Sequence, residues 1–193
     1  WNSVIWCNYL NKFIAVASSG EGNQIMTSTN GLEWSIQTSP DDIKWMTLAC
    51  SNTEIIALAA SGTSNRIMKS IDSINWSLLS DASNFNWQSI CWSNTLNLFV
   101  AVSNSGTSNR VMTSSDGITW TPSVNGNTYL SDCRSVAWNG SRWVACGNGT
   151  DCLIFSSDGI NWIPSDNGND IFTTICFSVA WNGYMWVAGG RGA

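Results

Sequence analysis

Residues 111–120, Val-Met-Thr-Ser-Ser-Asp-Gly-Ile-Thr-Trp, return 42 positions later as residues 153–162, Leu-Ile-Phe-Ser-Ser-Asp-Gly-Ile-Asn-Trp. A short apolar run, an Asp-Gly turn and a Trp make one supersecondary unit, and recurrence at a fixed distance marks a repeat array. Outward from this pair, Trp34, Trp76, Trp120 and Trp162 stand at spacings of 42, 44 and 42 residues. Ser3, Thr47, Ser89, Ser135 and Ser178 open a second shared segment at spacings of 44, 42, 46 and 43. The period is about 43 residues, and the variation belongs to the connections.

Each unit reads as four short strands. The first is Ser135-Val136-Ala137-Trp138, closed by Asn139-Gly140, with Asn182-Gly183 as its later copy. The second is Trp143-Val144-Ala145, matched by Phe13 to Val16 and by Leu98 to Val102. A Gly/Ser/Asn loop leads to the third, such as Val111 to Ser114, and the fourth begins at the repeated Trp. Between third and fourth lie Asn30-Gly31, Asp72-Ser73, Asp116-Gly117 and Asp158-Gly159. Such dipeptides tolerate positive φ, so the spacing predicts two-residue type I′ hairpins. No segment keeps a 3.6-residue period, and no spacer fits a crossover helix. The fold class that follows is all-β, a β-propeller of four-stranded antiparallel blades with about 4.5 repeats. The chain reads as a single array over 1–193, with units at 1–44, 45–86, 87–132, 133–175 and a partial unit at 176–193.

Composition bounds the function. The net charge is −5 and only eight Lys and Arg are scattered over 193 residues, so no basic track exists for nucleic acid or an anionic membrane surface. No apolar run approaches the ~20 residues of a membrane-spanning helix. The sequence holds no His, which removes Ser-His-Asp and Cys-His machinery and His metal ligands.

The stretches Ser114 to Trp120 and Ser156 to Trp162 resemble the Asp-box motif of sialidase-type (BNR) propellers, Ser-x-Asp-x-Gly-x-x-Trp. Ser28 to Trp34 and Ser70 to Trp76 are weaker copies, and all four lack one residue between Asp and Gly. The wider phrase Val-Ala-Trp-Asn-Gly followed by Trp-Val-Ala is similar to propellers encoded by giant DNA viruses and environmental sequences. The resemblance implies that Asn30, Asp72, Asp116 and Asp158 brace turns. It also implies that Trp34, Trp76, Trp120 and Trp162 pack between blades, away from the binding face. A shared fold of this kind does not carry a function.

A sialidase-like site is the enzyme that the resemblance raises; it requires an arginine cluster, a Tyr–Glu pair and an acid/base Asp. The chain offers Arg66, Arg110, Arg134, Arg142 and Arg191, three Tyr and three Glu. Arg66 and Arg110 share one repeat column, filled elsewhere by Gln24 and Cys152, which is not how one-off catalytic residues are placed. One Asp per blade supplies too few oxygens for Ca²⁺. No metal site, no cofactor and no enzymatic activity are expected.

The seven Cys have no metal-ligand spacing. Cys133 and Cys176 exchange with Trp1, Trp45 and Trp87, and Cys146 exchanges with Val16 and Val102, so they read as space-fillers rather than as a disulfide framework. Cys146 and Cys152 flank one hairpin and could bridge under oxidation, the alternative to that space-filling reading. The odd count favours a reducing intracellular compartment.

The segment Ser61 to Arg66 recurs unchanged as Ser105 to Arg110. Asn65, Arg66, Asn109 and Arg110 are therefore the candidate ligand-binding residues, one set per blade as in propeller lectins. A recent duplication explains the same identity without a ligand. The expected function is a non-enzymatic scaffold or interaction module whose partner is another protein or a glycan. A multivalent carbohydrate-binding lectin is the alternative, and a sialidase-type hydrolase is the third reading. Because the last unit stops after two strands, the ring needs a longer parent protein, a short final blade or self-association to close. Of these, the longer parent fits the well-kept repeat of the last unit.

Overall fold

A computed structural model describes residues 1–62, 65–79 and 85–192. It contains five antiparallel sheets in sequence order. Blade 1 is β1 (Ser3–Cys7), β2 (Lys12–Val16), β3 (Ile25–Ser28) and β4 (Ser35–Gln37). Blade 2 is β5 (Trp45–Cys50), β6 (Ile55–Ala59), β7 (Ile67–Ser70) and β8 (Ser77–Leu78). Blade 3 is β9 (Trp87–Ser93), β10 (Leu98–Ser103), β11 (Val111–Ser114) and β12 (Thr121–Pro122). Blade 4 is β13 (Leu130–Trp138), β14 (Trp143–Gly149), β15 (Leu153–Ser156) and β16 (Ile163–Pro164). Blade 5 is the pair β17 (Ile175–Trp181) and β18 (Trp186–Arg191). Within each blade, successive strands pair with their sequence neighbours as a meander. The first strands β1, β5, β9, β13 and β17 pack one against the next, so they form the inner wall of a propeller arc.

Two kinds of turn hold the register. Between first and second strands, Asn139 Oδ1 accepts the N–H groups of Ser141 (3.0 Å) and Arg142 (2.7 Å), and Gly140 takes φ 100°. Asn182 repeats the arrangement with Tyr184 and Met185. The turn between third and fourth strands is not the two-residue hairpin that Asn-Gly and Asp-Gly predicted. Thr27 pairs with Ser35 and Thr113 with Thr121, which leaves a seven-residue excursion closed by side chains. Only its second turn residue has positive φ: Gly31 (75°), Ser73 (66°), Gly117 (67°) and Gly159 (78°). A type I′ turn needs two such residues in succession, so the backbone here follows a different path. The fourth strand accordingly starts after the repeated Trp, at Ser35, Ser77, Thr121 and Ile163.

The core lies between blades. Strand alternation sends Ile55 and Ala57 of β6 toward blade 1 and Ile56 and Leu58 toward blade 3. On β10, Phe99 and Ala101 meet blade 2 while Val100 and Val102 meet blade 4. The second strands β6 and β10 are buried on both faces, so their sequences are almost wholly apolar. Trp45, Trp87 and Trp143 are fully buried in these seams.

The cysteines correct the sequence reading. Cys7 and Cys50 form a disulfide that joins the end of β1 to the end of β5 across the first seam. The cysteines are therefore not all space-fillers. Cys146 and Cys152 are not bridged. The Cys152 thiol donates to the Phe172 carbonyl at 3.0 Å, and Cys146 and Cys176 lie in one buried cluster.

Candidate functional site

The repeated polar residues come first, because the sequence placed the candidate sites on them. In each turn between third and fourth strands, a Ser hydroxyl and an Asx oxygen replace backbone partners. Ser156 Oγ accepts the Gly159 N–H at 2.9 Å and donates to Asp158 Oδ1 at 2.9 Å. Asp158 Oδ1 then accepts the N–H groups of Ile160 and Asn161, both at 2.8 Å. The Trp162 indole N–H donates to the Gly159 carbonyl at 3.0 Å. Asn30 with Trp34, Asp72 with Trp76, and Asp116 with Trp120 repeat these contacts.

The donors lower the carboxyl pKa values. The Asn75 side-chain amide, followed by backbone N–H groups, holds Asp72 well below the carboxylate range. Asp116 is lowered first by the Thr119 N–H. Burial pushes Asp158 up, but the Asn161 and Ile160 donors outweigh it and bring it down to about 2. These carboxylates are ionised turn braces with their acceptor capacity directed at their own loop.

The turns of blades 2, 3 and 4 also seat on the preceding blade. A Cβ on Gly117 would stand 2.4 Å from Ile56 of β6, and one on Gly159 would stand 3.0 Å from Val100 of β10. The Tyr9 hydroxyl of blade 1 donates to the Ile71 carbonyl of blade 2 at 3.0 Å, and burial lifts its pKa to about 12. Trp76, Trp120 and Trp162 join the first, second and third seams respectively. Trp34 instead lines a cavity of about 320 Å³ on the outward face of blade 1, with Trp1, Val4, Ala15 and Met26.

The second candidate column is also tied into the framework. Arg66 of blade 2 donates to the Gly62 carbonyl at 2.8 Å and to Asn86 Oδ1, ahead of β9, at 2.9 Å. Arg110 of blade 3 reaches the carbonyls of Thr107 (3.2 Å), Asn127 (3.5 Å) and Leu130 (3.4 Å) at the start of blade 4. Cys152, in the same column, makes the corresponding link to Phe172. The column therefore fastens one blade's loop to the entry of the next. Asn65 takes φ 62° in that loop, and Asn109 lies directly before Arg110. Thr63 and Ser64 of the repeated segment lie outside the described residues.

The one-turn helices α1 (Gly126–Tyr129) and α2 (Gly168–Ile171) stand in these entries. Sequence periodicity gave no sign of them because four residues are too few to show one. From α1, Asn127 Oδ1 accepts the Val111 N–H at 3.1 Å; from α2, Asn169 Oδ1 accepts the Cys152 N–H at 2.8 Å.

The remaining residues considered for glycoside chemistry are dispersed. Arg134 pairs with Asp132 at 2.6 Å, Arg142 lies 4.9 Å over the Phe155 ring, and Arg191 lies 5.9 Å over Phe177. Glu54 pairs with Lys69. Among the described residues, no group of three or more His, Cys, Asp or Glu is arranged to hold a metal ion.

A concavity that sequence reasoning missed lies on the inner wall. Ile5 and Trp6 of β1, Leu48, Ala49 and Cys50 of β5, and Ile90, Cys91 and Trp92 of β9 line a cavity of about 200 Å³. Trp6 is 42% exposed and packs edge-on to Phe13 at 4.7 Å; Trp92 packs on Phe99 at 4.4 Å. Burial lifts the Cys91 thiol to about 11, so it is a neutral wall. Trp6, Trp92 and Trp138 recur at one place in the first strand, which was the available signal. It needed the further fact that first strands of three blades converge.

No protein-family model and no curated protein sequence matches the chain. Solved β-propeller structures share its fold. A chain in a structure titled as a nidogen/laminin complex superposes with TM-score 0.71 at 14% identity, over 98% of this chain and 72% of that one. YCF48 bound to D1 peptide gives TM-score 0.63 at 11% identity, over 93% of this chain and 57% of that one. The GH74 enzyme of Niastella koreensis gives 0.56 at 16% identity, over 80% of this chain and 27% of that one. The chain thus spans less than two thirds of the YCF48 and GH74 chains, and at these identities the likeness is one of fold.

Proposed function

We propose that the chain is a non-enzymatic β-propeller module that binds an apolar or aromatic segment of another protein in the inner-wall cavity. The observation that carries this reading is the division of labour among its side chains. The Asx oxygens brace their own turns and the Arg66/Arg110 column ties blades together, whereas the inner cavity presents Trp6, Trp92, Ile5 and Ile90 from separate blades with no polar side chain among them. Aromatic walls with few polar groups suit an apolar anchor of a partner protein. Two fold neighbours, one in a nidogen/laminin complex and the other YCF48 bound to D1 peptide, have protein ligands, which supports the same class here.

The test is selection of displayed random peptides on the folded chain. Binders enriched in aromatic and aliphatic residues are expected, with affinity reduced about tenfold by Trp6→Ala. Binders indifferent to Trp6→Ala and to Trp92→Phe would overturn the cavity assignment. Specific glycan-array hits lost on Arg66→Ala and Arg110→Ala would instead support the lectin alternative.

A further inference from the structure

At every seam, the same two repeat positions meet. One lies on the second strand of a blade, opposite the column of Ser3, Ser89 and Ser135; the other lies in the first half of the first strand of the next blade. At the first seam the pair is Val16 and Trp45, at the second Leu58 and Trp87, and at the third Val102 and Cys133. At the fourth seam both positions are cysteine: Cys146 of β14 and Cys176 of β17. Both are fully buried and lie in one cluster, where Cys176 Sγ also donates to the Ser178 carbonyl at 3.5 Å and the Gly189 carbonyl at 3.6 Å.

We propose that Cys146 and Cys176 are a redox site: a dithiol that oxidises to a disulfide and fastens blade 5 to blade 4. A low-molecular-weight disulfide is the oxidant. The Cys176 thiolate attacks it, expelling one thiolate and forming a mixed disulfide. The Cys146 thiol then loses its proton, and its thiolate attacks the Cys176 sulfur and expels the second small thiolate. Two protein thiols are oxidised, one small disulfide is reduced to two small thiols, and no other reactant is needed.

Two observations support this assignment. First, the fold itself brings the pair together, because β14 packs on β17 and both cysteines lie in the one buried cluster between them. Second, Cys146 lowers the pKa of Cys176 while Cys176 raises that of Cys146, which assigns attacker and resolver. The first seam already carries a bond of this type, Cys7–Cys50, at the opposite end of the inner strands.

The experiment equilibrates the full chain with excess oxidised over reduced glutathione, traps free thiols by alkylation and maps linked peptides by mass spectrometry. The expected result is a Cys146–Cys176 linkage beside Cys7–Cys50, together with proteolysis of residues 175–192 slowed at least about fivefold. The linkage should persist in Cys152→Ser and disappear in Cys176→Ser. Only Cys7–Cys50, a Cys146–Cys152 or Cys133–Cys146 bond, or a persistent glutathione adduct on either thiol would overturn the proposal.

Discussion

The Ser89 hydroxyl and the Val136 peptide bond to each other twice across the third seam: Ser89 Oγ accepts the Val136 N–H at 3.3 Å and donates to the Val136 carbonyl at 3.5 Å. Ser135 does the same for Val179 of the next blade. The inner edge of each first strand has no further strand to pair with, so a hydroxyl from the preceding blade satisfies it. This accounts for the hydroxyl residue at that place in units 2, 3 and 4, where Thr47 Oγ1 likewise accepts the Ile90 N–H at 3.3 Å.

Ser89→Ala should therefore destabilise the fold by about 1–2 kcal/mol, because it orphans both groups of one inner-strand peptide. Ser178 stands in the same column of blade 5 but is exposed. Ser178→Ala should stay within about 0.5 kcal/mol of the parent. Urea denaturation of the two variants checks the contrast, and equal losses would remove the hydroxyl link as a stabilising element.

The Cys7–Cys50 bond closes a loop of 43 residues in sequence separation. Constraining a loop of that size in the unfolded chain contributes about 3–4 kcal/mol. Denaturation with and without reductant should show a loss of that order in the parent and none in Cys7→Ser/Cys50→Ser. A reductant effect that survives the double variant would place the sensitivity elsewhere.

The architecture was legible because its columns are fixed by strand pairing: a residue of β9 must have counterparts in β5 and β13, as Ser89 has in Thr47 and Ser135. The turn type was not. Asn-Gly and Asp-Gly read as backbone signals, but Asp158 and Ser156 supply hydrogen bonds that a two-residue turn would draw from its own main chain. The disulfide was hidden for a related reason. Cys7 and Cys50 fall in different columns, and column comparison sees exchange within a position, not contact between positions. Their separation of one repeat period was the signal that could have exposed it. The Arg66 and Arg110 column was read for identity, whereas its role lies in what each Arg touches on the next blade.

Acid should weaken the fold through the turn carboxylates. Asp72, Asp116 and Asp158 have pKa values lowered in the folded chain, so the unfolded state binds protons first as pH falls. Their contribution is complete above about pH 4, the unfolded carboxylate range, and is lost as pH drops toward the folded value of about 2 for Asp158. The urea midpoint should fall between pH 5 and pH 2.5, and less steeply in Asp158→Asn. An unchanged slope in that variant would show that the turn carboxylate does not link folding to pH.

Gly159 and Gly183 separate backbone conformation from packing. Both have positive φ, 78° and 95°, so alanine at either position costs about 1 kcal/mol for the left-handed conformation. A Cβ on Gly183 meets nothing within 4 Å, whereas one on Gly159 stands 3.0 Å from Val100, 3.1 Å from Leu98 and 3.3 Å from the Trp143 indole nitrogen. Those neighbours belong to the third seam, where a displaced side chain has no free space to enter. Gly159→Ala should consequently lose a further ~1–3 kcal/mol. Thermal or urea unfolding should rank the parent first, Gly183→Ala close behind and Gly159→Ala well below. If the two variants prove equal, the turn does not seat on the preceding blade as tightly as its distances require.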